Sequence, residues 1–379
     1  MDFDFSDDQS QLREAVARWV EKGYSFERRR ANTAAGGFDR ATYTELAELG
    51  LTGLTVPEEH GGMGMGAVES MVVMEQLGHG LVLEPLAQAL MTATVLAEVA
   101  PADVQSSWLP RIASGEAMVV LAHQERKARY RLDICEAKAS LALDGWTVSA
   151  TKNMVPAGDQ ADAWIVPAMV KSDLGDDTGE RMALFLVERG APGSRTEGHL
   201  TQDGGRAATV VLTDAPATLI TRQGLAALGM AVDVGIAALC AEAVGVMDKT
   251  LAITVDYMNT RKQFGVAIAS FQALRHRVAD MKMQLELARS MSYYATLKLN
   301  ADPAERSLAM SRAKVQLGQS MRFVGQQAVQ LHGGIGVTDE YIASHCFKKL
   351  TQLEMTLGDT LHHLGAVSEG MQDTAGVFA

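Results

Sequence analysis

The sequence predicts an α+β protein with an N-terminal all-α domain, a middle antiparallel β domain and a C-terminal four-helix bundle. Helix-cap signals and few β-branched runs mark residues 1–118 as helical. Short alternating apolar runs separated by turn residues follow over residues 119–222, and apolar residues at helical spacing return over residues 223–379. A chain of 379 residues exceeds what one compact core usually holds, so these three segments are expected to be separate domains.

The N-terminal domain carries signals for the beginning and the end of helices. Ser6, with Gln9 three residues later, forms the capping-box pattern that begins a helix. A second apolar stripe spans residues 39–49, and Gly50 after it suits the left-handed position that ends many helices. These signals predict an all-α domain.

Five short apolar or alternating runs predict strands in the middle domain. The runs are residues 118–122, 146–150, 164–170, 182–187 and 209–212. Segments such as residues 173–179, rich in Asp, Gly and Thr, separate the runs as turns. This spacing predicts antiparallel strands in a sandwich or a barrel-like sheet.

Three runs in the last domain place apolar residues three and four positions apart, which is the spacing of a helix face. The runs are Val244, Met247, Leu251, Val255 and Met258; Phe271, Leu274, Val278, Met281 and Leu285; and Leu317, Met321, Val324, Ala328 and Leu331. Long helices separated by short breaks predict an antiparallel bundle.

Charge and composition argue against several classes of partner. A formal net charge of -12 disfavours nucleic acids and anionic membranes. The most apolar stretch, residues 229–247, is interrupted by Asp233 and Glu242, so no membrane span is predicted. Residues 1–5 are acidic and lack the features of a secretory signal. A cytoplasmic location is therefore expected.

No disulfide framework and no metal site are predicted. Cys135, Cys240 and Cys346 are odd in number and far apart, which fits a reducing compartment. His362 and His363 are adjacent, whereas two metal-binding histidines on one helix face are usually four residues apart.

Two motifs in the last domain suit a dinucleotide. Residues 257–265 have the sequence Tyr-Met-Asn-Thr-Arg-Lys-Gln-Phe-Gly, and residues 330–336 have the sequence Gln-Leu-His-Gly-Gly-Ile-Gly. Arg261 offers a planar fork of donors that matches a pyrophosphate group. Gly333 and Gly334 permit a close backbone approach that a side chain would block.

These motifs, together with residues 49–62, resemble those of the acyl-CoA dehydrogenase family over nearly the whole chain. Within the family, the chain is most similar to the small-subunit type associated with pimeloyl-CoA dehydrogenase. The resemblance implies an FAD-dependent oxidoreductase that desaturates an acyl-CoA thioester at its α,β bond. It also implies a tetrameric assembly and an electron-transfer flavoprotein as electron acceptor.

The resemblance further implies which residues bind the adenine and pyrophosphate half of FAD. The flavin ring of that FAD is held mainly by the neighbouring subunit. These residues are Arg261, Gln263, Phe264, Phe271, Gln272, Gln330, Gly333 and Gly334. The alternative is that the arginine forms a surface ion pair and that the two phenylalanines belong to an ordinary core.

The chain departs from the family at the catalytic base. In much of the family a glutamate removes the α-proton, and the counterpart of that glutamate is Leu357, which cannot accept a proton. Leu357 shares an apolar spacing with Leu350, Leu353 and Leu361, so we predict that it packs in the core.

Other carboxylates offer no clear substitute for this base. The alternative base position of some relatives corresponds to Gly235. Glu242 and Glu354 are the nearest carboxylates, and both are expected to be solvated or ion-paired.

The predicted β domain also departs from the family. Residues 124–130 replace a Thr-Glu-Pro turn that meets the flavin and the substrate in relatives. Met154, Val155 and Pro156 replace a Trp-(Ile/Val)-(Thr/Ser) segment that contacts the flavin, and proline has no backbone N–H to donate. The changes affect the chain's own flavin and substrate contacts, whereas the residues that serve a neighbour's nucleotide are kept.

This asymmetry suggests a division of labour between subunits. The hypothesis is a small subunit of a hetero-oligomer, α2β2, that completes the flavin site of a glutamate-bearing large subunit. One alternative is a homomeric flavoenzyme, such as a homo-tetramer, that uses Glu354, Glu242 or a bound water, or that performs non-oxidative chemistry on an acyl-CoA. Another alternative is a structural subunit without flavin.

Overall fold

The structure is a computed structural model, and it describes residues 4–171 and 180–371. The predicted turn at residues 173–179 and the first three residues of the acidic N-terminal stretch lie outside the described residues. The chain divides into two compact units, one built from residues 1–30, 67–82 and 236–379 and the other from residues 31–66 and 83–235. The boundaries of the three predicted domains stay a prediction.

The described residues form α-helices, then a group of strands, then α-helices again. The helices are α1 (Asp7–Gly23), α2 (Phe26–Ala34), α3 (Arg40–Glu48), α4 (Ala67–Gly80), α5 (Leu86–Val99), α6 (Ala102–Ala113), α7 (Gly224–Thr260), α8 (Gln272–Lys298), α9 (Pro303–His332), α10 (Ile342–Met355) and α11 (Thr360–Met371). The strands are β1 (Val119–Leu121), β2 (Lys138–Ala142), β3 (Gly145–Pro156), β4 (Ala163–Lys171), β5 (Glu180–Glu188), β6 (Ser194–Leu200), β7 (Arg206–Thr221), β8 (Lys262–Gln263) and β9 (Val266–Ala267). This order confirms the predicted fold class.

The predicted helix caps are present. The Ser6 hydroxyl accepts a hydrogen bond from the Gln9 backbone at 3.2 Å, and the Gln9 side chain accepts one from the Ser6 backbone at 3.0 Å. Both orphan donors at the start of α1 are thereby satisfied. Asp39 caps α3 through its carboxylate, and Gly50 after that helix adopts a left-handed φ of 78°.

The strands of the second unit close into a barrel. Strands β4, β2, β3, β7 and β5 pair in that order, and β5 pairs again with β4. Strand β1 pairs with the Ala163–Ile165 end of β4, β2 pairs with β4 at Met169, and β6 pairs with β7. The barrel-like sheet is therefore as predicted, but its strands are not all antiparallel, because β4 lies parallel to both β1 and β2.

The interior of the barrel is filled by alternating apolar side chains from its strands. Val148, Trp164, Phe185 and Leu212 lie in one buried cluster. The indole N–H of Trp164 donates to the Gly158 carbonyl at 2.7 Å, so this large side chain is buried without losing its hydrogen bond.

Helix α9 is the central helix of the first unit and packs against α8, α10 and α11. Its predicted stripe from Leu317 to Leu331 is buried throughout, as expected. The stripe predicted for α8 holds only from Met281 onward, because no earlier residue of that helix is buried. After residue 223 the described residues contain five α-helices, α7 to α11.

Among the described helices, α7 alone is long and apolar enough to cross a membrane. However, 72% of its most apolar 18-residue window is buried inside the protein. Burial of this kind is what a core helix shows.

Candidate functional site

The first motif forms a hairpin between two helices. Helix α7 ends at Thr260, and the Arg261 backbone N–H donates back to Tyr257 at 2.8 Å. The Ile268 backbone N–H donates to the Arg261 carbonyl at 2.9 Å, which closes the hairpin of β8 and β9. At its tip Phe264 adopts a φ of 53°, in the left-handed region. The hairpin therefore holds Arg261 at its base and presents Phe264 at its tip.

The side chains of this hairpin point away from the protein. Phe264 is 92% exposed and meets Phe271 only edge to face, with ring centroids 6.1 Å apart. Arg261, Gln263 and Gln272 are exposed as well. Arg261 forms no ion pair with any residue in the described parts of the chain, and neither phenylalanine is buried. Within the described residues, the structure therefore shows neither a surface ion pair at Arg261 nor a buried core around the two phenylalanines.

The second motif lies at the end of α9. Gln330 is exposed, and Gly333 and Gly334 begin a short 3-10 turn, Gly333–Val337. A Cβ atom built on either glycine would meet nothing within 4 Å. By contrast, a Cβ on Gly336 would come within 2.8 Å of the Val329 carbonyl. Packing within the chain therefore explains Gly336, and a left-handed φ of 63° explains Gly333, whereas neither accounts for Gly334, which opens onto free space.

An aromatic cluster brings the two motifs together. The ring of His332 lies 4.6 Å from that of Tyr257 and 5.2 Å from that of Tyr341. His332 Nδ1 lies 2.8 Å from the Ala328 carbonyl, and burial lowers the pKa of His332. This histidine therefore links the end of α7 to the end of α9.

The combined surface fits the anionic half of a dinucleotide. It offers an exposed guanidinium from Arg261, an exposed aromatic ring from Phe264 and an open backbone at Gly333 and Gly334. A pyrophosphate needs this combination of a bidentate cation and close backbone approach. The residues present therefore fit FAD.

Leu357 does not pack in the core, so that prediction is wrong. The residue lies in the turn between α10 and α11, is half-buried and has a left-handed φ of 56°. Leu350 and Leu353 are buried, but Leu361 is 76% exposed. The helical spacing does not continue through Leu357 because α10 ends at Met355 and the chain reverses.

A buried lysine fixes the end of α10 before this turn. The Lys314 ammonium donates to the carbonyls of Leu353, Glu354 and Thr356 at 2.9, 3.1 and 2.8 Å. These are orphan acceptors at a helix C-terminus, where a cation is favoured. Burial lowers the pKa of Lys314 to about 8.

A buried histidine fixes the turn itself. His363 Nε2 lies 3.0 Å from the Leu357 carbonyl, and Nδ1 lies 3.2 Å from the Ser311 hydroxyl, so the ring donates to the first and accepts from the second. Gly358 has a φ of 111°, and a Cβ there would lie 2.3 Å from His363 Nε2. Only glycine fits beside this ring.

The two carboxylates considered as substitute bases are already engaged. Glu354 accepts hydrogen bonds from the Thr360 backbone at 3.0 Å and the Thr360 hydroxyl at 2.6 Å, and it pairs with Arg322 at 3.2 Å. Glu242 pairs with Lys349 at 2.7 Å. Both are ion-paired, as predicted, and both are buried.

A buried ion pair under the loop at residues 124–130 was not found from the sequence. The Lys152 ammonium lies 2.6 Å from Glu125, and both side chains are almost fully buried. Glu125 also accepts from the backbones of Glu136 and Ala137, and Lys152 also donates to the Pro167 carbonyl at 2.9 Å. The signal in the sequence that could have indicated this pair is Lys152 itself, which occupies a position of β3 that the alternation of the strand places inside the protein.

The segment that replaces the family's flavin contact lies at the end of β3. Met154 is exposed and has a left-handed φ of 52°, whereas Val155 is buried. Pro156 pairs with Ala207 of β7 but cannot donate a hydrogen bond. Among the described residues, no group of three or more His, Cys, Asp or Glu side chains could hold a metal ion.

Acid should destabilise the protein in part through His363. Burial lowers the pKa of His363 to about 4 in the folded state, from 6.5. Between these values the unfolded chain binds more protons, so the free energy of unfolding falls as the pH drops from 6.5 toward 4. One group contributes up to about 1.4 kcal/mol per pH unit.

His363→Gln should therefore flatten this pH dependence, as measured by urea denaturation at several pH values. His199→Gln changes an exposed histidine on β6 and is the matched control. If both variants reduced the pH dependence of the free energy of unfolding equally, that dependence could not be assigned to His363.

Comparisons with known proteins point to one family over most of the chain. Models of the acyl-CoA dehydrogenase N-terminal and C-terminal domains match residues 6–116 and 222–372. Acyl-CoA dehydrogenase FadE12 of Mycobacterium tuberculosis is 31% identical over 354 residues, which cover 89% of this chain and 88% of the relative.

Two solved structures share the fold closely. A variant of the Tcur3481-Tcur3483 steroid ACAD is 28% identical with a TM-score of 0.87, over 98% of this chain and 99% of that one. The ChsE4-ChsE5 complex from Mycobacterium tuberculosis is 25% identical with a TM-score of 0.87, over 99% and 100% of the two chains. This chain belongs to the acyl-CoA dehydrogenase family of FAD-dependent oxidoreductases that act on acyl-CoA.

Proposed function

We propose that this chain is the glutamate-less small subunit of a hetero-oligomeric acyl-CoA dehydrogenase, in which it completes the flavin site of a partner. The observation that carries the proposal is the outward-facing set of Arg261, Phe264 and Gly334, in which the arginine forms no ion pair with the described residues. These exposed groups are available to a cofactor that is held from outside the chain.

The chain's own residues would bind the nucleotide half of FAD across the subunit interface. Arg261 would hold the pyrophosphate by its guanidinium, and the exposed ring of Phe264 would cover an aromatic face. Gln263, Gln272 and Gln330 are exposed and supply amide donors and acceptors. FAD, when bound, supplies the acceptor for the hydride that leaves the β-carbon of the substrate.

The α-proton of the acyl-CoA must be removed by a base, and this chain has none at Leu357 or Gly235, the two counterparts of the family's base positions. Leu357 carries no proton acceptor, and Glu354 and Glu242 are committed to Arg322 and Lys349. Both carboxylates are buried, and their oxygens already accept hydrogen bonds or pair with these cations, so neither is free to receive the proton. The base would therefore come from a glutamate of the partner.

Two related structures support a hetero-oligomer. The Tcur3481-Tcur3483 steroid ACAD and the ChsE4-ChsE5 complex are each named for two different proteins. We infer the same kind of assembly for this chain, as α2β2, with an electron-transfer flavoprotein as electron acceptor and a cytoplasmic location. The steroid relative favours a bulky acyl group, and the resemblance to pimeloyl-CoA dehydrogenase favours a dicarboxylic one.

Reconstitution from separate subunits tests this proposal. The chain should show no dehydrogenation of acyl-CoA alone, and neither should a glutamate-bearing relative encoded beside it. Activity should appear when the two are mixed or co-expressed, and it should vanish when the partner's glutamate is changed to Gln. Full activity of this chain alone would refute the proposal and favour the homomeric flavoenzyme.

A further inference from the structure

The glycine turn and the residues after it pack little against the rest of their unit. Among residues 333–340 only Gly336 is buried, and the apolar side chains of Ile335 and Val337 are 41% and 69% exposed. Burial of apolar surface therefore contributes little to the shape of this segment. Its conformation depends on hydrogen bonds, both within the segment and at its ends.

Helix α10 holds the end of this segment through two side chains of its first turn. The Ser344 hydroxyl donates to the Thr338 carbonyl at 2.6 Å. The ring of His345 lies with Nε2 3.0 Å from the Asp339 carbonyl. Both carbonyls follow the 3-10 turn Gly333–Val337 directly, so these two hydrogen bonds fix where the glycine turn ends.

A buried guanidinium sets the role of each ring nitrogen of His345. Arg29 of α2 is 1% exposed, and its Nη1 lies 2.8 Å from His345 Nδ1. Because an arginine can only donate, Nδ1 accepts, and the proton of the neutral imidazole lies on Nε2, which donates it to Asp339. Arg29 Nε donates to the Leu81 carbonyl at 2.9 Å, so the guanidinium is itself held in place.

The surroundings of His345 favour this neutral form. Burial lowers the pKa of His345, and the cations of Arg29 and Lys348 lower it further, against the opposing contribution of Asp339. A protonated ring would direct a second N–H at the guanidinium, so the contact with Arg29 would be lost. At neutral pH the imidazole therefore has one protonation state and one tautomer, and both serve the Asp339 carbonyl.

We infer that Arg29 and His345 are positioning residues for FAD binding, because they hold the end of the segment that presents Gly333 and Gly334 to the nucleotide. Neither side chain needs to touch the cofactor for this role. The inference rests on the proposed function insofar as the FAD belongs to a partner's site. It adds that a residue of the second helix, far away in the sequence, determines the geometry of the nucleotide-binding turn.

His345→Phe tests this role, because it removes both hydrogen bonds and keeps an aromatic ring against Phe26, whose ring centroid lies 5.0 Å from that of His345. In the isolated chain, hydrogen exchange of the backbone amides of residues 333–341 should become about tenfold faster. The assembled complex should bind FAD about tenfold more weakly. His345→Gln should restore both properties, since its amide can accept from Arg29 and donate to Asp339.

His363→Phe is the matched control. His363 is also buried and also holds a backbone carbonyl, but at the other end of α10. The control should change neither the exchange of residues 333–341 nor the affinity for FAD. Equal acceleration in both phenylalanine variants would show a general loosening of the unit and would overturn the inference.

The contribution of Arg29 is tested by a double variant. Arg29→Met should accelerate exchange in the same residues, and it should add little in the His345→Phe background, because it acts through that ring. Additive effects would contradict the relay from Arg29 through His345.

Three further results would overturn the inference. They are unchanged exchange in His345→Phe, faster exchange without weaker FAD binding, and failure of His345→Gln to restore either property. A wild-type complex that binds no FAD would refute the proposed function instead, because the exchange of the isolated chain decides separately whether Arg29 and His345 hold the turn.

Discussion

Lys152→Met should lower the free energy of unfolding by about 3–5 kcal/mol, because it leaves the Glu125 carboxylate buried without its counter-charge. The two charged atoms lie 2.6 Å apart, and neither side chain reaches solvent appreciably. Lys152 also holds the Pro167 carbonyl of β4, so its loss loosens the barrel wall at two points.

Urea denaturation measures this effect, and Lys138→Met is the matched control because Lys138 is exposed on the neighbouring strand β2. The double variant Glu125→Gln/Lys152→Met should recover part of the loss, because no uncompensated charge then remains. A single variant as stable as the control would show that the pair contributes nothing.

Arg261→Ala should weaken FAD binding by the assembled complex by about 1.5–3 kcal/mol, which is roughly ten- to a hundredfold. The guanidinium is exposed in the isolated chain, so its removal should leave the melting temperature of that chain unchanged. Arg261→Lys should recover only part of the affinity, since an ammonium lacks the planar fork.

The loss of FAD affinity can be measured as the fraction of flavin that the complex releases on dilution. Lys262→Ala removes the neighbouring exposed cation and controls for the general loss of charge. Equal flavin retention in the alanine variants of both residues would contradict the assignment of Arg261 to the pyrophosphate.

Periodicity in the sequence was sufficient to predict most of the fold. The stripe of α9 is buried from Leu317 to Leu331, because apolar spacing and burial coincide in a helix packed on several neighbours. Strand β6 was missed because its residues, Ser194–Leu200, are largely polar and exposed. It is a strand because it pairs with β7, and single-sequence patterns do not show such pairing.

The candidate FAD site and its surroundings were likewise predictable only where a local sequence motif determines the structure. The Arg261 hairpin and the glycine turn follow local motifs and could be predicted, whereas the position of Leu357 could not. The prediction extended the apolar helical spacing of α10 through Leu357, although the chain turns there. Gly358, the next residue, is a typical signal for such a turn. The buried pair of Glu125 and Lys152 joins residues 27 positions apart, so only the folded barrel shows it.

The bound flavin of the purified protein tests the central proposal most directly. This chain, purified alone, should be colourless, because Met154 and Pro156 replace its own flavin contacts and its nucleotide residues face outward. Co-purified with a glutamate-bearing partner, it should form a yellow complex with half as many flavins as chains. Stoichiometric yellow flavin in the isolated chain would contradict the proposal that its nucleotide residues serve a partner.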